Sequence, residues 1–193
     1  MKKAVLHACC AVCSAYPVEK LKSMGFEPVI YFFNPNIAPK EEYERRRDEL
    51  VKYCAKIGVE LVVEDDSHEN WLEFIKGLEN EPEKGKRCEK CFEYRLLRAV
   101  HKAKELGISD FTTTLTVSPH KNSQLIFKIA QKIAADEGMS FISENFKKQN
   151  GFLRTMELAK ENDFYRQNYC GCEFSLRAGE KGALPAESRP KQE

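Results

Sequence analysis

The chain has 193 residues, and its 31 basic and 30 acidic side chains leave a formal charge of +1. A hydrophobic fraction of 42% excludes wholesale disorder, and no apolar run approaches the ~20 residues that a membrane-spanning helix needs. Residues 1–7 lack the apolar stretch and cleavage site of a secretion signal, so the cytoplasm is the expected compartment.

In chain order, residues 2–8 read as a strand and 14–24 as a helix stopped by Gly25. Residues 27–33 form a β-branched and aromatic strand, followed by the turn Asn34-Pro35-Asn36. A helix is predicted over 39–57, a strand over 59–64, a helix over 69–79 and, after a loop, a helix over 90–106. The pattern continues with a strand over 110–117, a helix over 122–137, a strand over 139–143 and a helix over 151–161. Alternating strands and helices predict an α/β domain with a mostly parallel sheet, helices on both faces and a helical C-terminal region. That domain is expected to span 1–177, with 178–193 reading as a disordered tail. Ligands of such sheets bind beyond the carboxyl ends of the strands.

Eight cysteines are the informative feature. Seven fall into three groups: Cys9, Cys10 and Cys13; Cys88 and Cys91; Cys170 and Cys172. A chain without a secretion signal is expected in a reducing compartment, which disfavours disulfides. Cys54 stands alone on a helix and reads as a small core residue. The first group sits where the first strand meets its helix, and helix N-termini favour thiolates, the form that binds metal. Cys88-x-x-Cys91 is expected to precede its helix, and its gap lets both sulphurs reach one metal. Four thiolates complete a zinc site or a cubane cluster, so seven exceed one such site by three. Two zinc sites would need an eighth ligand such as His7. One [4Fe–4S] cluster would instead leave three thiolates for a second metal with an open position. Structural zinc and a redox dithiol remain alternatives on spacing alone.

Charge is unevenly spread. Residues 57–83 carry nine acids and one base, whereas 84–104 carry eight bases and two acids. The basic stretch flanks Cys88 and Cys91 and suits a phosphate-bearing substrate such as RNA, or else a solvated helix face. Arg45-Arg46-Arg47, interleaved with acids, reads as solvated surface. Residues 112–122 end a strand with hydroxyls that either hold a ligand or cap the next helix. Tyr165 to Tyr169 interleaves aromatics with Arg166 and amides, which suits either a nucleobase or packing. Asp110 and His120, taken alone, read as structural. No glycine-rich phosphate loop follows the first strand, which disfavours ATP or NAD.

Several motifs together resemble the epoxyqueuosine reductases of the QueH family. They are His7-x-Cys9-Cys10-Ala11-x-Cys13-Ser14, Phe33-Asn34-Pro35-Asn36, Cys88-x-x-Cys91-Phe92-x-x-Arg95-Leu96, Thr114-Leu115-x-x-Ser118-Pro119-His120-Lys121 and Tyr165-x-Gln167-x-Tyr169-Cys170-Gly171-Cys172-x-Phe174-Ser175. The resemblance covers about residues 1–177. It implies a sheet like that of the ATP-pyrophosphatase-like (HUP) nucleotide hydrolases. The implied reaction is reductive deoxygenation of the epoxide of epoxyqueuosine at the tRNA wobble position, the last step of queuosine biosynthesis, without cobalamin. It also implies a [4Fe–4S] cluster beside a mononuclear iron, a tRNA substrate and a separate, unidentified electron donor.

With that resemblance in view, Cys10, Cys88, Cys91 and Cys170 are expected on the cluster. Cys9, Cys13 and Cys172 are expected on the single iron. His120, Tyr169, Arg95 and Asn34 are candidate proton donors or substrate ligands. The alternatives are an ATP-dependent tRNA-thiolating enzyme of similar fold and a zinc-stabilised RNA-binding module.

Overall fold

A computed structural model describes residues 1–176; the tail expected from 178 onward lies outside them. Five parallel strands form one sheet: β1 (Lys2–Ala8), β2 (Phe26–Phe32), β3 (Leu61–Val63), β4 (Asp110–Thr113) and β5 (Ser140–Phe141). Their order is β3-β2-β1-β4-β5, so β1 is central and the direction of winding reverses beside it. That reversal opens a crevice at the carboxyl ends of β1 and β4.

The two faces of the sheet follow from period-two alternation along the buried strands. Val5, Val29, Tyr31 and Phe111 pack with Leu96 and Val100 of α4 (Lys86–Glu105) and Ile126 and Ile133 of α5 (Ser123–Glu137). Leu6, Ile30 and Phe32 point the other way, onto Ala15 and Leu21 of α1 (Ala11–Ser23), Leu50 and Tyr53 of α2 (Lys40–Ile57) and Leu158 of α6 (Gly151–Glu161). Each face is covered by helices, as expected. Cys54 lies in the second core, 2% exposed, and burial pushes its thiol up to about 12. Among the described residues, no helix is long and apolar enough to cross a membrane.

Several boundaries differ from the sequence expectation for local reasons. Helix α1 starts at Ala11, not residue 14, because the Cys10 sulphur caps it by accepting the Cys13 N–H at 3.4 Å. Pro17 therefore lies inside the helix rather than in its first turn. The helix predicted over 69–79 is only α3 (His68–Phe74); Gly77, at φ +82°, turns the chain away, and its N–H is taken by the Glu79 carboxylate. Helix α4 starts at Lys86, so Cys88 and Cys91 lie inside its first turns rather than ahead of it. Strand β4 ends at Thr113, whose hydroxyl accepts the Leu115 N–H and starts a 3-10 turn over Thr114–Val117. Strand β3 keeps three residues of 59–64 and β5 two of 139–143.

Candidate metal centre

The first cysteine group is built by one turn. Where β1 hands over to α1, Cys9, Cys10 and Cys13 place their sulphurs within 4.8 Å of one another. The Cys9 and Cys10 sulphurs are 3.8 Å apart. Four-coordinate thiolate sites with metal–sulphur bonds of ~2.3 Å separate sulphurs by about that distance. Ser14 ties the turn down by donating to the Cys10 carbonyl at 2.7 Å, and Gln167 donates an amide N–H to the Cys10 sulphur at 3.2 Å. Thr114 approaches from beyond β4, its hydroxyl 3.7 Å from the Cys9 sulphur.

The triad is electrostatically incomplete. Hydrogen bonds from Cys10 and Cys13 hold the Cys9 thiol well below its ordinary value. Cys10 is pushed up to about 12, because a bond from Cys13 is outweighed by its own bond to Cys9 and by burial. Cys13 is held well above its ordinary value by hydrogen bonds to Cys10 and Cys9 and by burial. Three thiolates cannot share this volume without a cation, and the thiols bias one another in opposite directions, Cys9 down and Cys10 and Cys13 up.

The second group is assembled from far apart. Cys88 and Cys91 are successive turns of α4; Cys170 and Cys172 come from the last described segment. Burial, then the neighbouring Cys170, raises Cys88, although the Lys84 N–H bonded to its sulphur at 3.2 Å opposes this. Burial pushes Cys91 up to about 11, with Cys170 and Cys88 adding to it. It pushes Cys172 up to about 12, with Cys170 and Cys91 adding. The four sulphurs thus feel one another. The structure places Cys10 with Cys9 and Cys13, since all three hang from one turn, and Cys172 in the neighbourhood of Cys88, Cys91 and Cys170.

Distant residues hold the Cys170–Cys172 segment. The Arg46 guanidinium, 1% exposed, pairs with Glu42 at 2.7 Å and donates to the carbonyls of Cys170 at 3.1 Å and Tyr169 at 3.4 Å. The expectation of a solvated Arg46 is therefore corrected: it faces inward, and no periodicity of the interleaved charges signals that. The Ala38 N–H donates to the Gly171 carbonyl at 2.9 Å. Gly171 has φ +137°, and a Cβ there would lie 3.1 Å from Ile37 and 3.2 Å from Arg46. His68 joins Glu173 at 3.0 Å and the Pro35 carbonyl at 2.7 Å.

Of the other candidates, Asn34 and Arg95 are brought to the thiols. Arg95, 2% exposed, donates to the Asn34 amide oxygen at 2.5 Å, and Asn34 donates to the Ala8 carbonyl at 2.8 Å. The Arg95 charge also favours the thiolates of Cys9 and Cys91. The Tyr169 hydroxyl donates to the Ala38 carbonyl at 2.6 Å, and Tyr165 donates to Glu42 at 3.0 Å, so both rings serve packing. His120 is exposed on the loop after the 3-10 turn.

His7 is fully buried between Thr113 at 2.9 Å and the Phe33 carbonyl at 3.3 Å. Burial and the Arg95 charge push it down to about 3, so it is neutral and both ring nitrogens are used away from the thiols. It does not supply the eighth ligand that two zinc sites would need. The hydroxyls of 112–122 are mostly structural: Thr112 and Thr116 bond carbonyls beyond β5, and Asn122 caps α5. Asp110 pairs with Lys2 at 2.6 Å.

Arg95 Nε, Asn36 Oδ1 and Gln167 Oε1 are among the buried polar atoms without a partner, as are Trp71 Nε1 and Glu173 Oε2 beside Cys91 and Cys172. Such orphans are rare in folded interiors and mark a place for a polar ligand.

The basic stretch of α4 is not the free rim that its composition suggested. Arg98 and Lys102 pair with Glu64 and Glu105, Lys90 with Glu93, and Lys104 with Glu137. Arg87 is spent on the carbonyls of Glu79 and Glu81.

The chain is similar to several known proteins. A crystal structure of a "predicted subunit of tRNA methyltransferase" from Methanocaldococcus jannaschii shares the fold, with a TM-score of 0.62 at 13% identity over 100% of this chain and 93% of that one. An epoxyqueuosine reductase QueH of Streptococcus pyogenes is 40% identical over 90% of this chain and 70% of its own length. Its counterpart in Acinetobacter baylyi is 39% identical, over 91% and 81%. The one from Thermotoga maritima is 35% identical, over 91% of both chains. The family model described as "Epoxyqueuosine reductase QueH" matches residues 4–178, and with those relatives it establishes that the chain belongs to the QueH family of epoxyqueuosine reductases.

Proposed function

We propose that this chain is an oxidoreductase that converts the epoxide of epoxyqueuosine in tRNA to the alkene of queuosine, the last step of queuosine biosynthesis. It does so at iron centres held by its seven clustered cysteines and without cobalamin. The observation that carries this reading is the triad of Cys9, Cys10 and Cys13, sulphurs within 4.8 Å at the crevice of the sheet, with three donors where a closed site needs four. Thiolates are the donors that iron–sulphur centres use.

The triad's spacing suits a single iron on Cys9, Cys10 and Cys13, which leaves Cys88, Cys91, Cys170 and Cys172 for a [4Fe–4S] cluster. Relative to the partition expected from the sequence, Cys10 and Cys172 exchange places. Bound there, the metal centres would supply electrons, from a separate donor, and a Lewis-acidic position beside the substrate.

The residues supply the rest. The reaction takes up two electrons and two protons, and the epoxide oxygen leaves as water. Arg95, fixed by Asn34, turns its unpartnered Nε–H toward a substrate oxygen, while Gln167 and Asn36 offer unpartnered acceptors to hydroxyl or ring N–H donors. Burial of these groups keeps water from competing with the substrate. Tyr169 shapes the wall behind Cys170, and His120, exposed on the loop after the 3-10 turn, is the candidate for a proton source from solvent.

The test is anaerobic turnover of epoxyqueuosine-containing tRNA with a chemical reductant, together with metal analysis. Fully loaded protein should hold about five irons per chain. Cys9→Ser should abolish turnover while leaving tRNA binding and the fold intact. Protein that binds one or two zinc ions and no iron, and unfolds on Cys9→Ser, would identify a zinc-stabilised RNA-binding module. Turnover that requires ATP would favour the thiolating alternative.

A further inference from the structure

Arg98, Lys90, Lys102 and Lys104 of α4 are matched by carboxylates, as described above. Lys86 and several other lysines form no ion pair among the described residues, and neither do Lys121, Lys147 and Lys148, which lie together. They converge at the carboxyl edge of the sheet, from the loop after β4 and the loop after β5. Lys147 reaches across to donate to the carbonyls of Ser118 at 3.3 Å and Lys121 at 2.6 Å, which draws the two loops together. Burial and the nearby charges of Lys148 and Lys121 push its ammonium below the usual lysine value. Lys121 follows the 3-10 turn whose Thr114 hydroxyl lies 3.7 Å from the Cys9 sulphur, so the group adjoins the thiol site.

Like charges gathered without an ion-paired acid cost free energy unless an anion is recruited. Glu144, on the same loop as Lys147 and Lys148, forms no ion pair with any of the three among the described residues. From this placement we infer that Lys121, Lys147 and Lys148 form a binding site for the RNA phosphodiester backbone that flanks the nucleotide held at the thiols. This inference rests on the function proposed above and deepens it. It assigns the RNA to the β4–β5 end of the crevice rather than to the basic helix α4. Lys147 braces the two loops, Lys148 is the exposed contact, and Lys121 bridges the backbone to the reacting nucleotide.

The test measures binding of a fluorescently labelled RNA anticodon stem-loop to anaerobically purified, iron-loaded protein across a series of salt concentrations. Lys148 is exposed and its side chain makes no bond that folding needs. Lys148→Glu should weaken binding by roughly 5- to 10-fold and lower the slope of log affinity against log salt by about 1, at unchanged iron content. Lys147→Met should weaken binding further, and Lys147→Arg should restore it. Lys104→Glu on α4 should leave both readouts unchanged. Unchanged affinity and slope in Lys148→Glu would overturn the site, as would loss of binding in Lys104→Glu alone. Displacement of the RNA by inorganic phosphate at constant ionic strength would mark a free-phosphate site and overturn the RNA assignment. Turnover separates the two proposals: wild-type protein that turns over tRNA while Lys148→Glu binds normally refutes the phosphate site alone. Binding that responds as expected in a protein without turnover refutes the proposed reaction alone.

Discussion

The two thiol groups face one crevice but are made in opposite ways. Cys9, Cys10 and Cys13 come from a single strand-to-helix turn, braced by Ser14 and by the capping bond from the Cys13 N–H to the Cys10 sulphur. The Cys170–Cys172 segment has no such local frame. It is held by Arg46 and Ala38 from around the start of α2, by His68 of α3 and by the conformational freedom of Gly171. A site written into one turn tolerates distant change, whereas a site held from afar inherits every defect of its supports.

That contrast can be broken from either side, and the largest effect is expected at Arg46. Arg46→Met leaves Glu42 and two carbonyls buried without their donor, which should cost about 3–5 kcal/mol, read by chemical denaturation. Iron bound through Cys88, Cys91, Cys170 and Cys172 should fall before that bound by the triad, as resolved by Mössbauer spectroscopy. Equal loss at both centres would show that the triad is not local after all. Gly171→Ala forces a side chain into φ +137° against Ile37 and Arg46 and should cost about 1–3 kcal/mol, again with selective loss at the second centre.

His68 gives a pH dependence. Despite burial, its bond and ion pair with Glu173 hold its pKa above the ordinary imidazole value. The folded state therefore binds the proton more tightly than the unfolded chain. This contribution is full below the unfolded value of about 6.5 and is lost as pH rises through the raised folded value. His68→Gln should cost about 1 kcal/mol on the acid side and flatten the melting temperature against pH in that window. The smallest effect is expected on the local side. Ser14→Ala removes one buried bond to the Cys10 carbonyl and should cost about 1 kcal/mol without altering iron content.

Much of the fold was legible in the residues. Alternation along Val5-Leu6 and Val29-Ile30-Tyr31-Phe32 predicted strands buried on both faces, and Gly58, Gly107 and Gly138 marked helix ends within a residue or so. Boundaries slipped where a side chain acted on its own backbone, as Cys10 does in capping α1 and Thr113 in ending β4. The cysteines announced metal by their number and spacing. The partners of the cations were not legible. Arg46 and Lys90 sit among alternating charges of the same kind, yet one is buried under a cysteine loop and the other pairs with Glu93 in solvent.

By itself, the sequence determined the α/β alternation, the turn that carries Cys9 to Cys13 and the family motifs, because each depends on residues within a few positions of one another. Only the tertiary structure decided which thiols neighbour which, that His7 is a buried strut, that Arg98, Lys102 and Lys104 of α4 are matched by acids, and that Lys121, Lys147 and Lys148 converge without an ion-paired acid. Those outcomes depend on pairings between residues 30 to 160 positions apart, such as Gln167 with Cys10 or Lys147 with the Ser118 carbonyl. Composition and spacing carry no record of such distances; they arise when a parallel sheet gathers the ends of distant strands at one edge.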